Sequence, residues 1–235
     1  MGLPKLNNVP KYNMKVPSTN KEISFRPFLV KEEKILLIAL ESQDPVQIAT
    51  AITDTVTSCI FEDINKKDLK SYDIEYLFLK IRAKSVGEKT ELLFKCKSCE
   101  TENKINLDLD TIKLNVTQME DKVKISDTIY VEMKHPSFES ISKNKKLVTD
   151  SQTTQVFGLI QESIAAVLTE DERIDIKDTS DEEFQEFIES MTQEQFSKIR
   201  EYIEKIPRLT HEVNYTCTNC STDNTVTLEG LQSFL

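Results

Sequence analysis

The sequence is poor in the residues that most catalytic and nucleotide-binding motifs need. Its 235 residues include four glycines, two histidines and no tryptophan. So few glycines argue against a glycine-rich sheet protein and against a loop that cradles nucleotide phosphates. Two histidines leave few candidates for His-based acid–base chemistry, and neither the His-Glu-x-x-His nor the Gly-x-Ser-x-Gly pattern occurs. We therefore expect no enzymatic activity and no small-molecule substrate.

The sequence also lacks a long apolar run. The longest one, Ile35–Leu40, is far shorter than the roughly 20 residues that cross a membrane, and no signal-peptide pattern is present. The five cysteines are an odd number, which fits a reducing compartment better than a set of disulfides. We expect a protein that acts in the cytoplasm and has no membrane partner.

Basic residues are in the minority. The chain has 30 Lys and Arg residues and 40 Asp and Glu residues, which gives a formal net charge of −10. Because an acidic chain repels phosphate backbones, nucleic acid is not an expected partner. We interpret the short basic cluster of Lys143, Lys145 and Lys146 as a solvated loop.

Two stretches of the sequence follow one gapless template. It consists of Glu, four residues, Cys-x-x-Cys, three residues, Asn, one residue, a β-branched residue, one residue and Leu. The stretches are ELLFKCKSCETENKINL (Glu91–Leu107) and EVNYTCTNCSTDNTVTL (Glu212–Leu228). Apolar and polar residues alternate before the first cysteine of each, which is typical of a strand. We call them the first and second knuckle and predict strand, tight turn and strand for both.

Together the knuckles supply four thiolates, from Cys96, Cys99, Cys217 and Cys220, and four is the ligand number of a closed structural zinc site. A zinc ribbon usually has about 15–20 residues between its cysteine pairs, whereas 117 residues separate Cys99 from Cys217. We interpret the pattern as a split ribbon that holds one structural zinc ion and carries an inserted subdomain. Four thiolates leave no open position for water, so the site is not expected to be catalytic.

Other interpretations of the cysteines are thiol redox motifs and free cysteines packed as small hydrophobic residues. A thioredoxin-type motif needs a βαβ setting with a helix after the second cysteine, and neither knuckle has one. His211, six residues before Cys217, is a possible alternative ligand, but a lone histidine at a strand start is more often solvated. Cys59 falls within an apolar helical pattern and is predicted to lie in the core.

The sequence as a whole predicts an α+β fold that is mostly helical, with the two knuckles forming a split zinc-ribbon-like site and a small β-hairpin between them. We divide the chain into four segments. They are an extended Pro-rich arm (1–20), a helical region that ends in the first knuckle (21–110), an inserted hairpin-plus-helical region (111–210) and the second knuckle (211–235).

Local signals place several elements. Asp44 followed by Pro45 predicts a helix start, and Val123–Lys134 contains two short β patterns that predict a hairpin. Apolar spacing predicts a helix over Thr153–Leu168. Ser180 and Thr192 each begin a capping box that opens a helix.

The helix predicted from Lys31 to about Ser42 is apolar on more than one side. Ile35, Leu36, Leu37, Ile38 and Leu40 exceed a one-sided stripe. Such a helix is either buried on most sides within its own domain or partly reserved for a partner.

The stretches KEISFRPFLVKEEKILLIALES (Lys21–Ser42) and IEYLFLKIRAKSVGE (Ile74–Glu88), followed by FKCKSC, carry a resemblance to a known family. They resemble the base-plate proteins of T-even-like contractile-tailed bacteriophages, the family of baseplate hub subunits and hub assembly proteins. The resemblance is strongest over Pro17–Leu107 and extends through the second knuckle.

The resemblance implies a non-enzymatic phage morphogenesis protein. It would act in the infected cell's cytoplasm during hub assembly and bind other baseplate hub proteins. Whether it stays in the virion tail baseplate or acts only as an assembly factor is left open by the resemblance. The alternative is a zinc-ribbon regulator that binds nucleic acid or transcription machinery, which would need a basic stripe on the knuckles.

Overall fold

The computed structural model describes residues 8–114, 116, 119–148 and 151–234. Helices and strands both contribute to the fold, as predicted, and the sheets are small. In chain order the elements are β1 (Tyr12–Lys15), β2 (Glu22–Phe25), α1 (Val30–Ser42), α2 (Pro45–Cys59), α3 (Ser71–Ser85), β3 (Lys89–Lys95), β4 (Glu102–Asp108), β5 (Lys122–Lys124), β6 (Tyr130–Met133), α4 (Phe138–Lys143), α5 (Gln152–Ser163), β7 (Ile164–Leu168), β8 (Arg173–Asp175), α6 (Asp181–Glu189), α7 (Gln193–Glu204), β9 (Thr210–Thr216) and β10 (Asp223–Glu229).

The chain forms two compact units. The first consists of Met1–Asn115 and Arg208–Leu235, and the second of Val116–Pro207. Both knuckles therefore belong to the first unit, and the second unit is formed by the segment between them. No helix in the described part of the chain has the length and apolar character needed to cross a membrane.

The first unit has a helical core. Helix α2 begins where Asp44 accepts the N–H of Val46 at 2.9 Å and Pro45 fills the first turn, which confirms the predicted start. Helices α2 and α3 pack together and bury apolar side chains that are at most 1% exposed. These are Val56, Cys59, Ile74, Leu77, Leu79 and Ile81.

Residues 1–20 are predicted to form an extended arm. Of these, residues 1–7 lie outside the described part of the chain. Farther along, β1 pairs antiparallel with β2, and Val16 is 2% exposed. The backbone N–H of Ser18 donates to the Asp73 carboxylate at 2.8 Å. Residues 12–18 are thus held in the first unit by a strand pairing, a buried side chain and a hydrogen bond to α3.

A buried ion pair anchors the start of α1. The Glu32 carboxylate accepts from the Arg26 guanidinium at 2.9 Å and from the backbone N–H of Leu29 at 2.8 Å. Arg26 also donates to the carbonyl of Ser58 at 3.1 Å, near the end of α2. Burial opposes the charge of Glu32, but the hydrogen bonds from Arg26 and Leu29 outweigh it and lower the pKa of this carboxyl group.

The second unit contains an antiparallel sheet in the order β5-β6-β7-β8. Strands β5 and β6 form the hairpin predicted within Val123–Lys134. Both predicted capping boxes are present, because Ser180 and Thr192 accept the N–H of Glu183 and Gln195 at the starts of α6 and α7.

The helix predicted over Thr153–Leu168 was wrong in its second part. Helix α5 ends at Ser163, and Ile164–Leu168 forms β7, which pairs with β6 on one side and β8 on the other. An apolar run of five residues has the same periodicity in a buried helix and in a buried strand. Here the backbone groups of Ile164–Leu168 form hydrogen bonds with the two neighbouring strands, which favours a strand over a helix.

We expect Glu32→Gln to destabilise the first unit, because it leaves the Arg26 charge buried without its counterion. The expected loss is about 2–4 kcal/mol in the free energy of unfolding near neutral pH, measured by denaturant titration. Since the pKa of Glu32 is lowered by folding, the stabilisation is present above the unfolded-state pKa and is lost as the pH falls through the folded-state pKa.

The stability difference between wild type and Glu32→Gln should therefore shrink on acidification. Glu33→Gln, which removes the same charge from an exposed neighbour on α1, is the matched control. Equal stability of the two variants at neutral pH would contradict the role of the ion pair.

Candidate metal centre

Each knuckle is a tight turn between two paired strands. In the first, the N–H of Cys96 donates to the carbonyl of Thr101 at 3.0 Å, and the N–H of Glu100 donates to the carbonyl of Cys96 at 3.0 Å. The second repeats both bonds between equivalent residues at 2.8 and 3.0 Å. Glu100 and Ser221, which follow the second cysteine of each knuckle, both adopt left-handed backbone conformations with φ of 57° and 56°. The sequence template therefore corresponds to one local structure made twice.

The strands of the two knuckles form two hairpins, β3–β4 and β9–β10. Their inner side chains pack against each other: the rings of Phe94 and Tyr215 are stacked with centroids 5.8 Å apart. The Tyr215 hydroxyl also donates to the carbonyl of Lys95 at 3.1 Å. These contacts bring the cysteine pairs together although they are far apart in the sequence.

The four predicted cysteines converge. The Sγ atoms of Cys96, Cys99, Cys217 and Cys220 all lie within 4.8 Å of one another. Two of the separations, Cys96 to Cys220 and Cys99 to Cys217, are 3.6 Å, and both join one knuckle to the other. No histidine or carboxylate among the described residues joins this group, so His211 is not part of it.

These separations fit a metal site. Four sulfurs placed tetrahedrally at about 2.3 Å from a zinc ion would be about 3.8 Å apart, close to the observed pairs. A disulfide would require about 2.05 Å. The cysteines are in reduced form, and their spacing suits four-coordinate binding of a thiophilic cation.

Hydrogen bonds favour the thiolate form of Cys96 and Cys99. Hydrogen bonding with Thr101 lowers the pKa of Cys99 to about 6, and the backbone N–H groups of Ser98 and Cys99 lower the pKa of Cys96. Thr222 acts in the same direction on Cys220, but the contact with Cys99, burial and the contact with Cys96 together outweigh it and raise the pKa of Cys220. Ionisation of one sulfur therefore opposes ionisation of its neighbour. A bound divalent cation would remove this opposition.

A reciprocal pair of asparagines links the knuckles. The side-chain carbonyl of Asn103 in the first knuckle accepts the N–H of Thr218 in the second at 2.8 Å. The side-chain carbonyl of Asn224 in the second knuckle accepts the N–H of Lys97 in the first at 3.0 Å. Both asparagines are buried, at 2% and 3% exposure. We call this pair of contacts the asparagine clasp.

The clasp also reaches the sulfurs. The amide of Asn103 donates to Sγ of Cys217 at 3.7 Å, and the amide of Asn224 donates to Sγ of Cys96 at 3.6 Å. In addition, each amide donates at 2.8 Å to the backbone carbonyl two residues before it. Each asparagine thus makes hydrogen bonds to the backbone of its own turn, to the backbone of the opposite turn and to a sulfur of the opposite knuckle.

The asparagine clasp was not predicted from the sequence. The signal was present, because the asparagine occupies the same position in both copies of the template. A repeated polar residue at an inward-facing strand position needs a buried partner, but its partner lies across the site and cannot be inferred from the spacing. Cys59, by contrast, is buried as predicted, and burial raises its pKa to about 11.

Comparison with known proteins gave a single kind of match. The model of a protein family described as T4 bacteriophage base plate protein matches residues 9–235, nearly the whole chain and both knuckles. Neither a curated protein nor a solved structure showed significant similarity.

We expect Asn103→Ala and Asn224→Ala to destabilise the protein by similar amounts, because each leaves a backbone N–H of the opposite knuckle without its acceptor. The expected loss is about 1–3 kcal/mol for each, measured by chemical denaturation. Asn106→Ala makes the same change at an exposed position of β4 and should have little effect. A clasp variant as stable as the Asn106 control would show that these contacts do not hold the knuckles.

Proposed function

Because this chain belongs to the family of T4 bacteriophage base plate proteins, we propose that it serves at the baseplate hub as a structural component or assembly factor. It acts by binding other hub proteins and performs no catalysis. In this proposal it works in the cytoplasm of the infected cell while the hub is assembled. Mass spectrometry of purified virions separates the two roles, because only a structural component stays in the tail.

The observation that carries the proposal is the cluster of four sulfurs within a chain of this family. We propose that Cys96, Cys99, Cys217 and Cys220 bind one structural zinc ion, as in a zinc ribbon split by the second unit. Zinc would cross-link the chain where the reducing cytoplasm does not permit disulfides. In this proposal the metal stabilises the fold of a protein that acts by binding other proteins.

The adhesive surface in this proposal is α1. The helix buries only Glu32 and Ala39, while α2 and α3 leave most of its apolar side chains in solvent. Val30 is 79% exposed, and Leu37 and Ile38 are each 55% exposed. Beside α1 lies a cavity of about 200 Å³, and its lining includes Leu36, Leu40 and residues of α2. The exposed apolar residues at this helix are Leu29, Val30, Ile35, Leu37, Ile38 and Leu40.

Apolar side chains on this scale mark a contact surface. A helix that offers apolar residues on several sides and packs through a narrow stripe is suited to burial between its own domain and a partner. This supports the second of the two interpretations of α1, a helix partly reserved for another protein.

The alternative, a zinc-ribbon regulator of nucleic acid, lacks this kind of support. The outer faces of β9 and β10 carry Thr, Asn, Asp and Glu, without a lysine or arginine among them. On the first hairpin the strand register places Lys89 opposite Asp108 and Lys95 opposite Glu102. The third exposed lysine of these strands, Lys104, is paired with Glu91 at 2.9 Å. These hairpin faces form no basic stripe, so phosphate binding there is disfavoured.

Protein purified without chelator should contain one zinc per chain, and Cys217→Ser should lose it. Binding free energies on the order of 10 kcal/mol in such sites contribute directly to folding. The melting temperature of Cys217→Ser should therefore fall by about 10 °C or more. Elemental analysis and thermal unfolding measure the two effects.

Ser98→Ala, an exposed change between the cysteines of the first knuckle, is the control and should keep both the metal and the melting temperature. Two metal ions per chain, or an unchanged melting curve in a metal-free Cys217→Ser protein, would refute a shared structural site.

Substitution of α1 should abolish partner binding without unfolding the protein. We expect Ile35→Lys with Ile38→Lys to reduce co-purification with other baseplate proteins of the same phage at least about tenfold, since each lysine places a charge in an apolar contact. Val86→Lys, at a 66% exposed apolar residue after α3, is the matched control. If the α1 variant co-purifies with these proteins as well as the wild type does, α1 is not the binding surface.

A further inference from the structure

Strand β5 lies at one edge of the four-stranded sheet of the second unit, and no other strand among the described residues pairs with its outer side. The carbonyl of Asp121 accepts from the N–H of Met133 at 2.6 Å, and the N–H of Ile125 donates to the carbonyl of Ile129 at 3.0 Å. In an antiparallel ladder, hydrogen-bonded residues alternate along the strand. Val123 therefore shares this bonding side, and Lys122 and Lys124 direct their N–H and C=O groups away from β6, to the open edge.

A groove runs along this edge. It has a volume of about 830 Å³ and lies between β5 with the residues before it and one face of α7. Met119, Val123 and Tyr202 supply apolar surface. The remaining lining residues are charged: Glu120, Lys122, Lys124, Lys198, Glu201 and Lys205.

The groove is basic although the chain is acidic. Its four lysines and two glutamates give a local charge of +2, against −10 for the whole chain. Lys124 is paired with Asp127 at 2.9 Å and Lys198 with Glu194 at 3.6 Å, both in exposed positions where ion pairs are weak. Among the described residues, Lys122 and Lys205 take part in no ion pair.

We propose that an extended, acidic segment of another protein chain binds in this groove and adds to β5 as a further strand. The outward backbone groups of Lys122 and Lys124 would pair with the segment, its acidic side chains would meet the lysines, and its alternate apolar side chains would cover Val123 and Tyr202. This is recognition by strand addition, in which backbone bonds give affinity and side chains give specificity.

Nucleic acid fits the groove less well. Glu120 and Glu201 would repel phosphates, and the open strand edge offers peptide groups in the spacing of a neighbouring strand. The surface belongs to the second unit alone. It depends neither on the metal centre nor on α1, so either can fail in its own tests without affecting this proposal.

The test uses the full chain and three labelled probes: a blocked peptide of alternating valine and glutamate, its valine and lysine counterpart, and single-stranded oligothymidylate. Fluorescence anisotropy should show the glutamate peptide binding at least about tenfold more tightly than the lysine peptide. Amide hydrogen exchange at Lys122 and Lys124 should slow about tenfold on saturation, because both N–H groups become bonded.

Two variants separate charge from backbone pairing. The double variant Lys122→Glu, Lys205→Glu should bind the glutamate peptide about tenfold or more weakly than the wild type. It should also bind the lysine peptide more tightly than the glutamate peptide. Both Lys124→Ala and Lys124→Pro remove the side-chain charge, but only Lys124→Pro also removes an outward N–H, so the proline variant should bind the glutamate peptide at least about tenfold more weakly than the alanine variant. If Lys124→Pro unfolds, the amide exchange of the wild-type protein decides the point.

Several results would overturn the proposal. They are no binding of the glutamate peptide, equal binding of the two peptides, binding without protection of the two amides, or preferential binding of the oligonucleotide. Self-association that competes with the peptide would overturn it as well, because the occupant would then be a second copy of this chain.

Discussion

The reciprocal contact between the knuckles is the constraint on which the first unit depends. Asn103 and Asn224 each hold the backbone of the opposite turn, and the same two turns present the four sulfurs to one another. The carboxyl-terminal hairpin meets the first hairpin through this contact and through stacked aromatic rings. Hydrogen bonds, ring packing and sulfur spacing all favour one arrangement, and such agreement between levels specifies a single structure.

Within the first unit, the knuckles and α1 therefore have different roles. At the knuckles, the buried Asn103 and Asn224 fix how the two turns meet. The start of α1 is fixed by the buried pair of Arg26 and Glu32, yet the rest of the helix keeps its apolar side chains in solvent. A rigidly anchored helix with an apolar exterior loses little conformational entropy when a partner covers it.

The sequence was informative wherever the signal was local or repeated. The cap at Asp44, the capping boxes at Ser180 and Thr192 and the two-copy template all rest on residues that contact near neighbours in the chain. The predictions were incomplete where the outcome depends on distant partners. Whether Ile164–Leu168 becomes a helix or a strand depends on the two strands beside it, and the exposure of α1 depends on how much of it α2 and α3 cover.

The 117 residues between Cys99 and Cys217 have a consequence for the order of events during synthesis. At translation rates of about 5–20 residues per second, the second cysteine pair emerges roughly 6–23 s after the first. Throughout that interval the first knuckle is a pair of thiols without its opposite half, and the second unit, Val116–Pro207, is complete only near its end. The joining of the two knuckles therefore follows the synthesis of the whole second unit and is a late step that is timed by the ribosome.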